Sequence, residues 1–154
     1  MGEQAERKMQ LHKVISMSGK VLLSQVNDFL DFAQIREGTF RITKEIFYVR
    51  AAIDEVFDMF KMNAEVKQLK FECSYSDSLP KLVKADRVRI QQVLRNYLAN
   101  ALKFTQKGSI TVRVGYHKLT QLLKVEVLDT GFGISEENQK KLFKPFSMLK
   151  EDQG

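Results

Sequence analysis

The stretch NYLANALKFT at 96–105 places two asparagines and a lysine on what is otherwise the pattern of an amphipathic helix. Asparagine is a mediocre helix former because its amide competes with the backbone for hydrogen bonds, so two of them one turn apart lower stability unless the amides have a partner. An amide oxygen suits a hard cation such as Mg²⁺, and a lysine one turn further along suits a phosphate. This spacing could therefore support the binding of a metal ion and phosphates.

On a helical wheel with about 100° per residue, the polar side chains of this helix form a strip about 80° wide. The strip consists of Gln92, Asn96, Asn100 and Lys103. The apolar side next to it is predicted to face the core, and it consists of Ile90, Val93, Leu94, Tyr97, Ala101 and Phe104. An ordinary solvated face remains the alternative to a binding wall, and this helix alone does not separate the two.

A second motif, VEVLDTGFGIS at 125–135, joins a carboxylate to a glycine-rich turn. Alternation along the strand predicts that Asp129 emerges on its apolar, helix-facing side. Gly131 and Gly133 permit positive φ and close approach of a ligand to the backbone, which would let Asp129 accept a hydrogen bond from the amine of a purine. The alternative is a glycine turn in which Asp129 caps its own backbone.

Hydrophobic periodicity predicts the elements that must position these motifs. Apolar residues recur at three- and four-residue steps from Glu3 to about Gln34, which indicates one long helix that stops at Gly38. Its apolar stripe, around Leu22 and Phe29, has no partner helix in this chain. We therefore expect a homodimer formed through this helix.

The rest of the chain has the pattern of an α+β unit. The predicted elements are a helix from about Arg50 to Val66, a strand at 69–75, a helix N-capped by Asp86 that ends at Gly108, strands at 109–117 and 122–129, and a short helix N-capped by Ser135. Pro80 predicts a loop. The fold class is therefore α+β, a two-layer sandwich of helices on a mixed sheet preceded by a long helix.

Composition excludes several classes of function. In 154 residues no run approaches the roughly 18 apolar residues of a membrane span, and the N-terminal sequence lacks a signal-peptide core, so a cytoplasmic segment without membrane contact is expected. The net charge of +6 comes from scattered cations, which disfavours nucleic acid. The single cysteine, Cys73, is predicted to be a buried, unpaired thiol.

The two motifs, taken in order with a third, resemble the ATP-binding domain of sensor histidine kinases, within the superfamily shared with gyrase-type and mismatch-repair ATPases. The N box is N-x-x-x-N-A-x-K-F-T, the first glycine box is D-T-G-F-G-I, and the F box comprises Leu142, Phe143, Pro145 and Phe146. Upstream, LLSQVNDFLDFAQIREGTF resembles the second helix of the family's dimerisation hairpin. The resemblance implies a dimerisation-type helix at 1–37 and an incomplete Bergerat-type ATP-binding domain at 38–154.

The resemblance also implies a role for each matching residue, with ATP and Mg²⁺ as cofactors. Asn100 would coordinate the Mg²⁺ that bridges the phosphates, and Asn96 would line the same wall. Lys103 and Lys107 would face the phosphates. Asp129 would bind the adenine amino group above the floor formed by Gly131 and Gly133, with Tyr97 either near the adenine or in the core. Phe143 and Phe146 would anchor the start of a mobile lid.

Asn96 favours a kinase over a gyrase-type ATPase. The hydrolysing branch of the superfamily carries a glutamate at this position as general base, and an amide cannot accept a proton at neutral pH. The implied parent chemistry is transfer of the γ-phosphate of ATP to a histidine in a phosphorelay, with a receiver or response-regulator domain as partner.

Two parts of the family pattern are missing from this sequence. Neither His12, expected on a helix surface, nor His117, expected at a hairpin turn, lies in the motif of the phospho-accepting histidine. The later glycine-rich box is also absent, so a C-terminally truncated chain that is inactive alone is expected. The alternative function is a non-catalytic dimerising or regulatory module derived from a histidine kinase.

Overall fold

The computed structural model describes the backbone of residues 2–140 and most of their side chains. The chain divides into two compact units, Met1–Ile42 and Thr43–Gly154. The sequence predicted a boundary after residue 37. No helix in the described part is both long and apolar enough to cross a membrane.

The first unit consists of one helix, α1 (Gly2–Arg36), and the extended segment that follows it. The helix stops close to the predicted residue because Gly38 adopts a φ of 69°, which suits a helix C-terminus. His12 is exposed on its surface. Large apolar side chains along its C-terminal half are 38–65% exposed, among them Leu22, Val26, Phe29, Leu30 and Ile35.

The described part of the second unit contains three helices. They are α2 (Val49–Val66), α3 (Arg87–Phe104) and the short α4 (Glu136–Gln139). Asp86 caps α3 as predicted, since its Oδ1 accepts a hydrogen bond from the Arg89 amide at 3.1 Å. Ser135 caps α4, because its hydroxyl accepts from the Asn138 amide at 3.4 Å.

The predicted end of α3 at Gly108 was wrong. The helix ends at Phe104, and Thr105 has extended dihedral angles. One of the last helical carbonyls, that of Leu102, accepts a hydrogen bond from Lys67 Nζ at 2.6 Å, which satisfies it without a further turn. Gly108 has a φ of 109° and belongs to the turn into the next strand.

Within residues 2–140, five strands form two sheets. The strands are β1 (Glu45–Tyr48), β2 (Lys70–Tyr75), β3 (Leu82–Ala85), β4 (Ser109–His117) and β5 (Leu122–Asp129). One sheet has the order β2-β4-β5, with a parallel β2–β4 pair and an antiparallel β4–β5 pair. The other is an antiparallel ribbon of β1 and β3. The three-stranded sheet is therefore mixed, as predicted.

Helices α2 and α3 pack on one face of the three-stranded sheet. Fully buried side chains from all three elements meet in this layer, including Ile53, Val56, Leu98, Ile110 and Val112. The opposite face is mostly polar and carries exposed ion pairs such as Lys70–Glu72. This two-layer arrangement confirms the predicted fold class.

The helical wheel placed the core of α3 slightly wrongly. Leu98 and Leu102 are buried, although the predicted apolar side omitted them. Val93 and Tyr97, which it included, are each 54% exposed. The difference arises because α3 packs against both α2 and the sheet, so its buried arc is rotated toward Leu98.

Candidate functional site

Asn96 and Asn100 lie on the exposed side of α3, one turn apart. Within residues 2–140 neither side-chain amide makes a hydrogen bond with the protein. The helix therefore carries two poor helix formers whose amides have no described protein partner to offset their cost. Both remain available to a ligand.

The last turn of α3 contacts the glycine-rich turn that follows β5. The ring centroids of Phe104 and Phe132 are 5.6 Å apart, with the rings inclined at 78° in an edge-to-face arrangement. On the helix itself, the Lys103 ammonium lies 4.8 Å from the centroid of the Phe104 ring. The two motifs are thus adjacent in space.

Gly131 is required at the point of contact. A β-carbon there would lie 2.7 Å from the carbonyl oxygen of Phe104 and 2.8 Å from Asp129 Oδ1. Both distances are shorter than a real side chain tolerates, so only glycine allows the turn to approach the helix end this closely. Gly133 suits the turn for a different reason. Its φ of 75° is a conformation that glycine adopts readily, whereas a β-carbon there would meet nothing within 4 Å.

Asp129 is exposed at the end of β5. Its Oδ1 accepts a hydrogen bond from the Gly131 amide at 2.9 Å, which is the backbone capping that the sequence left as an alternative. In the described part of the chain, Oδ2 has no hydrogen-bond partner. One carboxylate oxygen thus shapes the turn while the second can still accept a hydrogen bond.

The loop that carries Lys107 is tied to the same turn through Thr130. The Thr130 hydroxyl donates to the Lys107 carbonyl at 3.3 Å and accepts from the Ser109 amide at 2.9 Å. Lys107 itself is exposed. The end of α3, the loop that carries Lys107 and the glycine-rich turn therefore lie next to one another. Phe143 and Phe146, the predicted anchors of a lid, lie outside the described residues.

An apolar groove of about 550 Å³ lies between α3 and β5. Tyr97 lines it from the helix, and Leu123, Val125 and Val127 line it from the strand. The sequence placed Tyr97 either near the adenine or in the core, and its 54% exposure excludes the core position. The groove itself was not predicted, since it results from two elements distant along the chain.

The described residues contain no cluster of three histidine, cysteine, aspartate or glutamate side chains that could hold a metal ion. The amide oxygens of Asn96 and Asn100 remain candidate ligands, because they are exposed on α3. Mg²⁺ bound together with phosphates needs only one or two protein ligands, because the ion keeps several waters and takes other ligands from the substrate.

Comparison with known proteins assigns this geometry to a family. Residues 85–154 match the family of histidine kinase-, DNA gyrase B-, and HSP90-like ATPases. The peroxide stress-activated histidine kinase mak1 of Schizosaccharomyces pombe is 33% identical over 142 residues, which cover 89% of this chain and 9% of that protein. The chain belongs to the histidine kinase family.

Solved histidine kinase structures share the fold. The Acinetobacter baumannii histidine kinase AdeS aligns over 88% of this chain and 65% of its own, with 26% identity and a TM-score of 0.70. Full-length ShkA, crystallised with AMPPNP, aligns over 85% of this chain and 28% of its own, with 26% identity and a TM-score of 0.68. The chain spans about a tenth of the length of its curated relative mak1.

Proposed function

We propose that residues 38–154 form the ATP-binding part of a histidine kinase that operates in a phosphorelay. The observation that carries this proposal is the pair of exposed asparagine amides on α3, unpartnered within residues 2–140, beside a glycine turn that touches the helix end. A solvated helix face explains neither the choice of asparagine nor the close approach of Gly131.

The residues present fit ATP and Mg²⁺. Asn100 would hold the metal ion, with Asn96 on the same wall, and Lys103 and Lys107 would neutralise phosphate charge. The bound ion would supply charge stabilisation for the transferred phosphoryl group. Asn96 cannot act as a general base toward water, which supports a kinase rather than a gyrase-type ATPase.

The base would be held at the glycine turn. The Oδ2 atom of Asp129 is available to accept a hydrogen bond from the adenine amino group, while Oδ1 keeps the turn in shape through the Gly131 amide. Gly131 and Gly133 would form the floor below the base. Phe143 and Phe146 would anchor the start of a lid.

A titration with a fluorescent ATP analogue tests the metal and phosphate roles. Asn100→Ala should weaken binding about tenfold or more in the presence of Mg²⁺ and lose most of the Mg²⁺ dependence of the wild type. Asn63→Ala, which removes another exposed asparagine on the helix α2, is the matched control. Equal affinities in all variants, with and without Mg²⁺, would refute the metal role of Asn100.

Phosphotransfer by this chain alone is not expected. His12 lies exposed on α1, and His117 is the last residue of β4, where its Nδ1 is 2.8 Å from the Thr120 hydroxyl. Neither histidine lies in the family's acceptor motif. Incubation with radiolabelled ATP and Mg²⁺ should leave no acid-labile, base-stable label, and label on either histidine would contradict this assignment.

The alternative function is a dimerising or regulatory module, and the exposed apolar stripe of α1 favours association in either case. We propose that residues 1–37 act as a dimerisation helix, that the chain works in the cytoplasm, and that a receiver domain is the downstream partner. Sedimentation should show a homodimer that Phe29→Asp converts to monomer. A clean monomer of the wild type at high micromolar concentration would exclude this role for α1.

A further inference from the structure

The Lys103 side chain is held against an aromatic ring on its own helix. Its ammonium lies 4.8 Å from the centroid of the Phe104 ring, within the range of a cation–π interaction. A lysine side chain has high rotamer freedom, and a contact that restricts it beforehand reduces the entropy lost when the ammonium binds an anion.

The Phe104 ring is in turn held by the glycine turn. The Phe132 ring contacts it edge to face at 5.6 Å, although the Phe132 side chain is 67% exposed. The backbone of the same turn is fixed against the helix end, because Gly131 packs on the carbonyl of Phe104 and its amide is bound to Asp129. The Phe104 ring, and with it the cation–π contact of the lysine, is therefore supported by the turn.

We infer that Phe104 and Phe132 are positioning residues that direct the Lys103 ammonium toward the phosphates of the nucleotide. This inference rests on the proposed function and extends it, since it links the base-binding turn to the phosphate-binding lysine through two aromatic rings. The part of the affinity that comes from phosphate should then depend on Phe104, and the part that comes from the base should not.

Two probes, ADP and adenosine, separate these parts, each titrated with Mg²⁺ present. Phe104→Leu should weaken ADP about twofold to fivefold, the range of an exposed cation–π contact, and leave adenosine unchanged. Phe104→Tyr keeps the aromatic face and should restore ADP affinity. Phe132→Leu should weaken ADP by a smaller factor, because Phe132 reaches the lysine only through Phe104.

A double substitution of Phe104 and Lys103 tests whether Phe104 acts through the lysine or through the stability of the second unit. In a Lys103→Ala background, Phe104→Leu should cause no further loss of ADP affinity. Phe57→Leu is the matched control, because it disrupts another aromatic pair in the core of the same unit. The Phe57 and Phe71 rings are stacked, with their centroids 4.1 Å apart. Phe57→Leu should not change the ratio of ADP to adenosine affinity.

A measurement without ligand tests the contact itself. The ε-methylene resonance of Lys103 should be shifted upfield by the Phe104 ring in the wild type and in Phe104→Tyr, and should return to an ordinary lysine position in Phe104→Leu. An unshifted resonance in the wild type would overturn the inference.

The ADP and adenosine titrations separate a failure of this inference from a failure of the proposed function. Equal loss of ADP and adenosine affinity in Phe104→Leu, or additive effects with Lys103→Ala, would overturn the inference while leaving the proposed function intact. A wild-type chain that binds neither ADP nor adenosine would overturn the proposed function and the inference with it.

Discussion

Gly131 and Phe104 are in such close contact that a β-carbon on the glycine would lie 2.7 Å from the phenylalanine carbonyl oxygen. The obstructing atom belongs to the backbone at the end of α3, so it cannot rotate away as a side chain would. We predict that Gly131→Ala destabilises the second unit by about 1–3 kcal/mol and weakens nucleotide binding. Urea unfolding and nucleotide titration measure the two effects.

Gly115→Ala provides the matched control for that substitution. Gly115 lies in β4, and a β-carbon there would be 3.9 Å from the Ser76 β-carbon, an ordinary van der Waals distance. Its effect on the free energy of unfolding should be within about 0.5 kcal/mol of zero. If both alanine variants were equally stable, the close approach of the glycine turn to α3 would not exist in solution.

Asp129→Asn should reduce the preference of the chain for adenine over guanine nucleotides. The substitution leaves an oxygen that can still accept from the Gly131 amide, but it replaces a pure acceptor with a mixed donor and acceptor at the position proposed to read the adenine amine. We expect ATP affinity to fall more than GTP affinity, by a factor of about ten. Competition of each nucleotide against a fluorescent analogue measures this ratio. Equal losses would leave Asp129 with a structural role only.

Asp86→Ala should destabilise the start of the helix that carries the site. Asp86 is buried, and its carboxylate accepts from the Arg89 amide at 3.1 Å and from the Thr43 amide at 2.9 Å. Loss of a helix N-cap costs about 0.5–2 kcal/mol, and the second orphaned amide places this substitution toward the upper end of that range. Ser135→Ala, at the N-cap of the short and exposed α4, should change the unfolding free energy much less. A Ser135→Ala effect as large as that of Asp86→Ala would contradict this account.

Cys73 should react slowly with alkylating reagents near neutral pH. Burial raises the pKa of its half-buried thiol, with a smaller opposing effect of the Tyr75 hydrogen bond and a further increase from the nearby Asp54 carboxylate. Because the thiolate is the reactive form, the midpoint of the rate profile should lie at higher pH in the folded chain than in urea. The rate of reaction with iodoacetamide, measured across pH in the folded chain and in urea, gives both midpoints. A lower rate with an unchanged midpoint would indicate steric shielding in place of the pKa shift.

Local signals in the sequence predicted most of the helices and strands. The helix caps at Asp86 and Ser135 depend on neighbouring residues only, and both are present. β3 was missed because four residues are too short to show alternation, and its pairing with β1 is a long-range contact. The edge-to-face contact of Phe104 with Phe132 could not be predicted for the same reason. The roles of the site residues toward ATP stay predictions.

The parallel pairing of Lys70 with Ser109 has a consequence for folding kinetics. The chain between these residues contains β3 and all of α3, so the pair closes a long loop whose entropy must be lost before the strand contacts form. The helix that carries Asn96 and Asn100 is itself the crossover connection of this loop. We therefore expect β2 and β4 to pair in the same cooperative step that positions Asn96 and Asn100. Substitutions that weaken the packing of the buried face of α3 should slow refolding.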